Sequence, residues 1–240
     1  MRLKHLIFDF GAVLFRWQPA TLLARVLPQH APDAERAQAL AARFFGVNLS
    51  QASGGAWARH DRGTIDAAEL VAALAAQTGL SPAEVSQVID AIPAELAPMP
   101  TSVNLLRRLR DAGHRLFYLS NMPRPLAAHL EREHAFLRWF EAGVYSSHVR
   151  HCKPEAAIYQ LALQRFGVAA GDCVFLDDHP ANVDAARALG LGAVCFRDAA
   201  QAEAALARDH GIWLADSSDP GRSGESTPPT APGLRGLQGL

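Results

Sequence analysis

The 240-residue sequence predicts an α/β fold, a parallel sheet interrupted by an inserted helical block. Three observations carry that expectation. Short apolar runs, Leu6-Ile7-Phe8, Leu116-Phe117-Tyr118-Leu119 and Val174-Phe175-Leu176, each stop on a polar residue, as buried strands do at a sheet edge. The later runs alternate with stretches of helical periodicity, the pattern of strand–helix–strand crossovers whose sheet is covered on both faces. Between the first run and the second, residues 17–97 read almost entirely as helix.

Taken in order, the first strand ends on Asp9 and turns through Phe10-Gly11-Ala12-Val13-Leu14. The helical block follows as Thr21–Leu27, Ala34–Phe44, Asp66–Gln77 and a segment opened by Ser81-Pro82-Ala83-Glu84. In that tetrad Ser81 and Glu84 form a capping box, each satisfying a backbone N–H that the helix start leaves unpaired. Ser102–Asp111 is a helix with Thr101 as its N-cap, closing near Gly113. A strand over Arg115–Leu119 ends in Ser120-Asn121, and Gly143–Ser146 is a weaker one. Pro154–Phe166 begins a helix with proline in its first turn and ends at Gly167, and Pro180–Leu189 ends likewise at Gly190. Between them Cys173–Leu176 is a strand ending in Asp177-Asp178, and Gly192–Phe196 is the last. This divides the chain into a Rossmann-like α/β core at 1–16 and 98–215 and an α-helical cap at 17–97. The Ser-, Pro-, Gly- and Thr-rich tail at 216–240 has little to bury and is expected to be disordered.

Composition narrows the class of function. With 49% hydrophobic residues there is ample material for a core, and a net charge of -1 without a basic block argues against a nucleic-acid surface. Three cysteines without a CxxC spacing point to free thiols in a reducing compartment. There is no apolar run of membrane-spanning length and no signal-peptide pattern, so no membrane partner and a cytoplasmic location are expected.

The chemistry gathers at strand ends, where open parallel sheets bind their ligands. Asp9 alone also fits an ordinary turn residue. Asp177-Asp178 is harder to explain that way, because adjacent carboxylates repel and their partial burial is costly without a cation. Mg²⁺, bound through a few carboxylates, waters and substrate phosphate, meets that need. Lys153 placed before a helix start opposes the helix dipole unless an anion lies near. Ser120-Asn121 offers a hydroxyl, an amide and backbone N–H groups suited to phosphate oxygens. Each has a bland reading too, as a cap, a loop lysine or a turn.

Together the segments IFDFGAVL, LSN at 119–121, KPEAAIY at 153–159 and FLDDHPAN at 175–182 resemble, in order and spacing, the four motifs of the haloacid dehalogenase-like (HAD) superfamily. The resemblance covers roughly residues 1–215, and WARHDRGTIDAAEL with KPEAAIYQ is similar to bacterial sugar-1-phosphate phosphatases of the helical-cap branch. It implies a Mg²⁺-dependent phosphomonoesterase acting on a small phosphorylated metabolite, a sugar phosphate being one candidate. Asp9 would be the nucleophile that forms an aspartyl-phosphate. Asp9, Asp178 and the Gly11 carbonyl would hold the metal, with Asp177 acting through water. Lys153 would stabilise phosphate charge, Ser120 and Asn121 would hold its oxygens, and Asn182 would position the fourth motif.

Gly11 departs from the family pattern, in which most phosphatases have a second aspartate as general acid and base there. Three readings stay open: a substrate with a good leaving group, a cap residue (His60 or Asp61, read as a loop) that supplies the proton, or chemistry other than phosphatase. The last takes the form of a metal-independent 2-haloacid dehalogenase using the same aspartate, or of a non-catalytic phosphate-binding module. Against dehalogenation stands the acidic pair, a liability without a cation. Arg16 and Trp17, just past the first turn, are candidates for substrate contact or hinge packing, and His179 for orienting a metal-bound water. His148-Val149-Arg150-His151-Cys152 reads as a polar loop more readily than as a transition-metal site.

Overall fold

In the computed structural model the chain is described over residues 4–46 and 55–214. The tail expected to be disordered, at 216–240, lies outside the described residues. Five parallel strands, β1 (His5–Phe8), β2 (Arg115–Ser120), β3 (Ala142–Tyr145), β4 (Cys173–Asp177) and β5 (Gly192–Cys195), form one sheet in the order β3-β2-β1-β4-β5. β1 is central, with Phe8 in register with Tyr118 on one side and Leu176 on the other. That register brings Asp9, Ser120 and Asp177 to one edge of the sheet.

Along β1 the side chains alternate between faces, and both faces are buried. Leu6 and Phe8 pack with Leu116, Val174, Leu176 and Val194 on one face; Ile7 packs with Phe117, Leu119, Val144 and Phe175 on the other. Helices α6 (Pro100–Asp111), α7 (Arg124–Glu133) and α11 (Ala199–His210) cover the first face. Helices α9 (Ala156–Phe166) and α10 (Pro180–Ala188) cover the second. A strand buried on both faces reads as a continuous apolar run, which is why these were visible in the sequence.

Five helices lie between β1 and α6: α1 (Pro19–Val26), α2 (Ala34–Phe45), α3 (Ala56–Asp61), α4 (Ala67–Thr78) and α5 (Pro82–Glu95). The Ser81/Glu84 capping box forms as expected, and Asp66 with Glu69 makes a second at the start of α4. The apolar faces of these helices join the core on the first sheet face, so one hydrophobic cluster runs through both. The two chain crossings between them pair with each other: Arg16 N–H donates to the Ala97 carbonyl at 2.8 Å, and Met99 N–H to the Leu14 carbonyl at 2.8 Å. Above this pair Arg16 and Arg25 both bind the buried Glu95 carboxylate, at 3.1 and 3.2 Å.

Several local expectations are corrected. Thr101 lies inside α6, which starts at Pro100 with Met99 before it, because proline is pre-shaped for a first helical turn. Pro154 precedes α9 rather than opening it: the Lys153–Pro154 peptide bond is cis, and Glu155 is the residue before the helix. The Ala58–Asp61 stretch, read as a loop, is the end of α3. α7, α11 and the four-residue α8 (Ser146–Val149) were not singled out in the sequence.

Candidate active site

A cavity of about 380 Å³ opens over the sheet edge at the end of β1. Its floor comes from Asp9, Gly11, Asn121 and Asp178 in the loops after β1, β2 and β4, from Ser120 at the end of β2, from Lys153 before α9 and from Asn182 in the first turn of α10. Strands cannot continue past these residues because each chain turns away into a helix, so their side chains and N–H groups face the cavity.

The ε-ammonium of Lys153 lies 2.6 Å from Asp177 Oδ2 and 2.8 Å from Asp9 Oδ1, with only 3% of the residue exposed. Burial alone would depress its pKa; the Asp177 and Asp9 carboxylates reverse that and hold it above the usual lysine range. Toward Asp177 the ammonium makes a directed hydrogen bond, whereas toward Asp9 the contact is ionic and Oδ1 has no well-aligned donor. Burial, opposed by Lys153 and reinforced by Asp177 and Asp178, pushes the Asp9 carboxyl up to about 7.

Asp177 is fully buried and accepts from Lys153, from the His179 backbone N–H at 2.8 Å and from the Asn182 amide at 2.9 and 3.1 Å. Asp178 keeps solvent exposure, yet the surrounding protein and the neighbouring Asp177 push its carboxyl up to about 6. One carboxylate oxygen from each of Asp9, Asp177 and Asp178 lies within 4.8 Å of the others, and this is the group suited to a metal among the described residues. Three hard oxygen donors with a single ammonium between them fit Mg²⁺ better than a soft or nitrogen-preferring ion. His148-Val149-Arg150-His151-Cys152 forms no such cluster: His151 pairs with Glu155 at 3.2 Å, His148 stacks edge-on to Tyr145, and Cys152 is buried.

Asn121 is engaged in a way the sequence did not show. Its amide donates to the Lys153 carbonyl at 3.0 Å and its carbonyl accepts the Lys153 N–H at 2.9 Å, so the side chain clamps the lysine backbone. Trp17 lines the cavity and packs edge-on against Phe45, whereas Arg16 is committed to Glu95. His60 is a correction: it does not line the cavity but packs against Trp57, with its ring centroid 5.8 Å from the indole. Its neighbour Asp61 does line the cavity, because successive helical residues point about 100° apart. Burial and the charge of Asp9, offset by Lys153, raise the Asp61 carboxyl to about 8. His179 lines the cavity too; its Nδ1 accepts from the Ala181 N–H, and burial lowers its pKa.

The upper walls are Trp17, Phe45, Trp57, Ile92, Leu96 and Met122, most of which the sequence reading missed. On a helix an apolar residue that faces a cavity has the same periodicity as one that faces the core, so no local signal separates them.

A family model for haloacid dehalogenase-like hydrolases matches residues 3–190, and the chain belongs to this family. The sesquiterpene phosphatase astK of Aspergillus oryzae is 26% identical over 189 residues, covering 78% of this chain and 87% of that protein. The fructose-1-phosphate phosphatase YqaB of Escherichia coli is 40% identical over 72 residues, 30% of this chain and 36% of that one. A HAD family enzyme of Bacteroides thetaiotaomicron, crystallised with magnesium and inorganic phosphate, superimposes with a TM-score of 0.60 at 19% identity, covering 80% of this chain and 93% of that one. The L-2-haloacid dehalogenase of Xanthobacter autotrophicus superimposes with a TM-score of 0.58 at 20% identity, over 80% and 76% of the two chains. Likeness at such low identity speaks for the shared fold alone.

Proposed function

We propose that this HAD-like hydrolase is a Mg²⁺-dependent phosphomonoesterase whose nucleophile is Asp9 and whose substrate is a small phosphate ester of an apolar alcohol. The observation that carries the reading is the meeting of Asp9, Asp178 and Lys153 at the floor of a cavity with apolar upper walls. An Asp9 oxygen attacks phosphorus, the bond to the organic oxygen breaks, and the alcohol leaves. Water then hydrolyses the aspartyl-phosphate, releasing phosphate and restoring Asp9. Lys153 keeps Asp9 ionised for attack and compensates charge on the transferred group. Ser120 and the backbone around it hold phosphate oxygens. Asn121 and Asp177 act as positioning residues, one on the Lys153 backbone and the other on its ammonium. Mg²⁺ held by Asp9, Asp178 and the Gly11 carbonyl would neutralise phosphate charge and admit an anionic nucleophile. Helices α1–α5 act as the cap that selects the organic group.

The leaning toward an apolar alcohol comes from the walls. Among the described residues the amide nitrogens that line the cavity are already committed, Asn121 to Lys153 and Asn182 to Asp177. Sugar hydroxyls buried against the apolar walls would lack partners there, each at a cost of about 1–3 kcal/mol. The similarity to astK over most of both chains, against a short match to YqaB, supports the same direction. The metal-independent dehalogenase reading would leave three clustered carboxylates on one ammonium, with only the His179 N–H and the Asn182 amide on Asp177 as further donors among the described residues.

The test is phosphate release from isoprenoid, alkyl and sugar monophosphates, with and without Mg²⁺, by the wild type and Asp9→Asn. Expected is Mg²⁺-dependent release with kcat/KM higher on the apolar esters by about tenfold or more, since each buried CH₂ contributes about 0.8 kcal/mol, and no turnover by Asp9→Asn. A preference for sugar phosphates would overturn the substrate class. Metal-independent halide release from a 2-haloacid would overturn the reaction.

A further inference from the structure

We infer that Asp61, at the end of α3, is the general acid and base of the reaction, serving from the cap side the role that Gly11 leaves open on the core side. This rests on the phosphomonoesterase reading above. Gly11 is not a backbone necessity: its φ lies outside the left-handed range, and an added Cβ would meet Trp17 at 3.7–3.8 Å, an ordinary contact. The acid is therefore missing there for want of a side chain and not because the turn forbids one.

Asp61 shares the cavity with Asp9 and is half-buried, and nothing among the described residues hydrogen-bonds to its carboxyl group or pairs with it. A carboxyl group without a partner in an apolar-walled cavity, in the last turn of a helix and near Asp9, is biased toward its neutral form by all three influences, against the opposing pull of the Lys153 ammonium. The other cavity-lining residues able to carry a proton are differently engaged: His179 caps α10 through Nδ1, Lys153 lies between two carboxylates, and Asp178 belongs to the acidic cluster. Asp61 is also held in place. Its carbonyl accepts from Ser146 Oγ at 2.5 Å, and Ser146 in turn accepts the Met122 N–H at 2.9 Å, so α3 ends pinned to the residues after β2 and β3. The adjoining Arg62 pairs with Glu155, and Gly63, at φ +71, packs so closely on Ser147 that a Cβ would lie 2.8 Å from its carbonyl oxygen.

As Asp9 attacks phosphorus and the P–O bond to the alcohol breaks, the Asp61 carboxyl gives its proton to the departing oxygen, which leaves as the neutral alcohol. The resulting Asp61 carboxylate then takes a proton from the water that attacks the aspartyl-phosphate, so both residues return to their starting states.

The test compares kcat/KM, which reports the steps up to alcohol release, for an alkyl phosphate and for p-nitrophenyl phosphate, whose leaving group needs no proton. In Asp61→Asn the alkyl ester should lose on the order of 10²–10⁴-fold, while p-nitrophenyl phosphate should lose less than about tenfold. Inorganic phosphate binding and thermal stability should be retained. Asp61→Glu should recover part of the alkyl activity. Equal losses on both esters, or none on the alkyl ester, would overturn the role of Asp61. A wild type that cleaves neither ester, or an Asp9→Asn variant that still cleaves both, would overturn the phosphomonoesterase reading instead.

Discussion

Among the described residues Lys153 is the only ammonium in contact with Asp9 and Asp177, and both its partners and its own stem are buried. Lys153→Met should therefore do two things at once. Activity should fall below detection, and stability should drop by about 3–5 kcal/mol, the scale of an uncompensated buried charge, as read by urea unfolding at neutral pH. Gly11→Ala should leave stability within about 1 kcal/mol of the wild type, because the added methyl meets only ordinary contacts. Asp61 has a pH signature in the metal-free protein. Burial and the charge of Asp9, offset by Lys153, push its folded pKa up to about 8, above the ordinary carboxyl value of 3.8. Between those values the folded chain keeps a proton that the unfolded chain has released, so this group's contribution to stability declines as pH rises from about 4 to 8. Unfolding measured across that window should show a flatter decline for Asp61→Asn than for the wild type. A parallel decline in the two proteins would show that Asp61 stays ionised in the fold.

Two pairings act at the level of elements, one at the crossings to α1–α5 and one within the sheet. At the crossings, the Glu95 carboxylate is buried and binds Arg16 and Arg25, which are themselves about half exposed. Glu95→Gln removes the charge but keeps the shape, and should cost about 1–3 kcal/mol in unfolding free energy. On the sheet, Tyr118 of β2 lies directly over Gly143 of β3, where an added Cβ would fall 2.0 Å from the ring. Gly143→Ala forces the ring out of a cluster with Phe10, Phe140 and Tyr145 and should destabilise by about 1–3 kcal/mol.

Across the whole molecule, one hydrophobic cluster joins the sheet face to the five helices above it, and the cavity lies where the two meet. No helix among the described residues is long and apolar enough to cross a membrane. The carboxylates of Asp9, Asp177 and Asp178 cluster at and beneath the cavity floor and repel one another, with Lys153 as their shared counter-charge. Added Mg²⁺ should therefore raise the thermal midpoint, by the linkage of a ligand that binds the folded state, and Asp178→Asn should remove most of that increase. An unchanged midpoint in saturating Mg²⁺ would count against a metal site here.

How much of this was legible in the sequence depended on whether the signal was local. The central strands β1, β2 and β4 were plainest because each is an apolar run buried on both faces, the outer β3 and β5 being shorter and partly exposed, and Asp9, Ser120, Asp177 and Asp178 were visible because each sits where such a run stops. The capping box at Ser81 and the glycine helix ends were visible for the same reason: a cap is a matter of neighbouring backbone groups. The division of labour between His60 and Asp61 was not, since one residue of helix rotation sends His60 to Trp57 and Asp61 to the cavity. Nor was the Asn121 clamp on Lys153, which joins residues 32 positions apart, or the choice of which apolar helix faces line the cavity. By itself the sequence determined which elements form and which residues stand at their ends, because secondary structure and capping answer to nearby residues. Only the tertiary structure decided which partners those residues meet, because burial, charge pairing and cavity shape are set by chain segments far apart in the sequence.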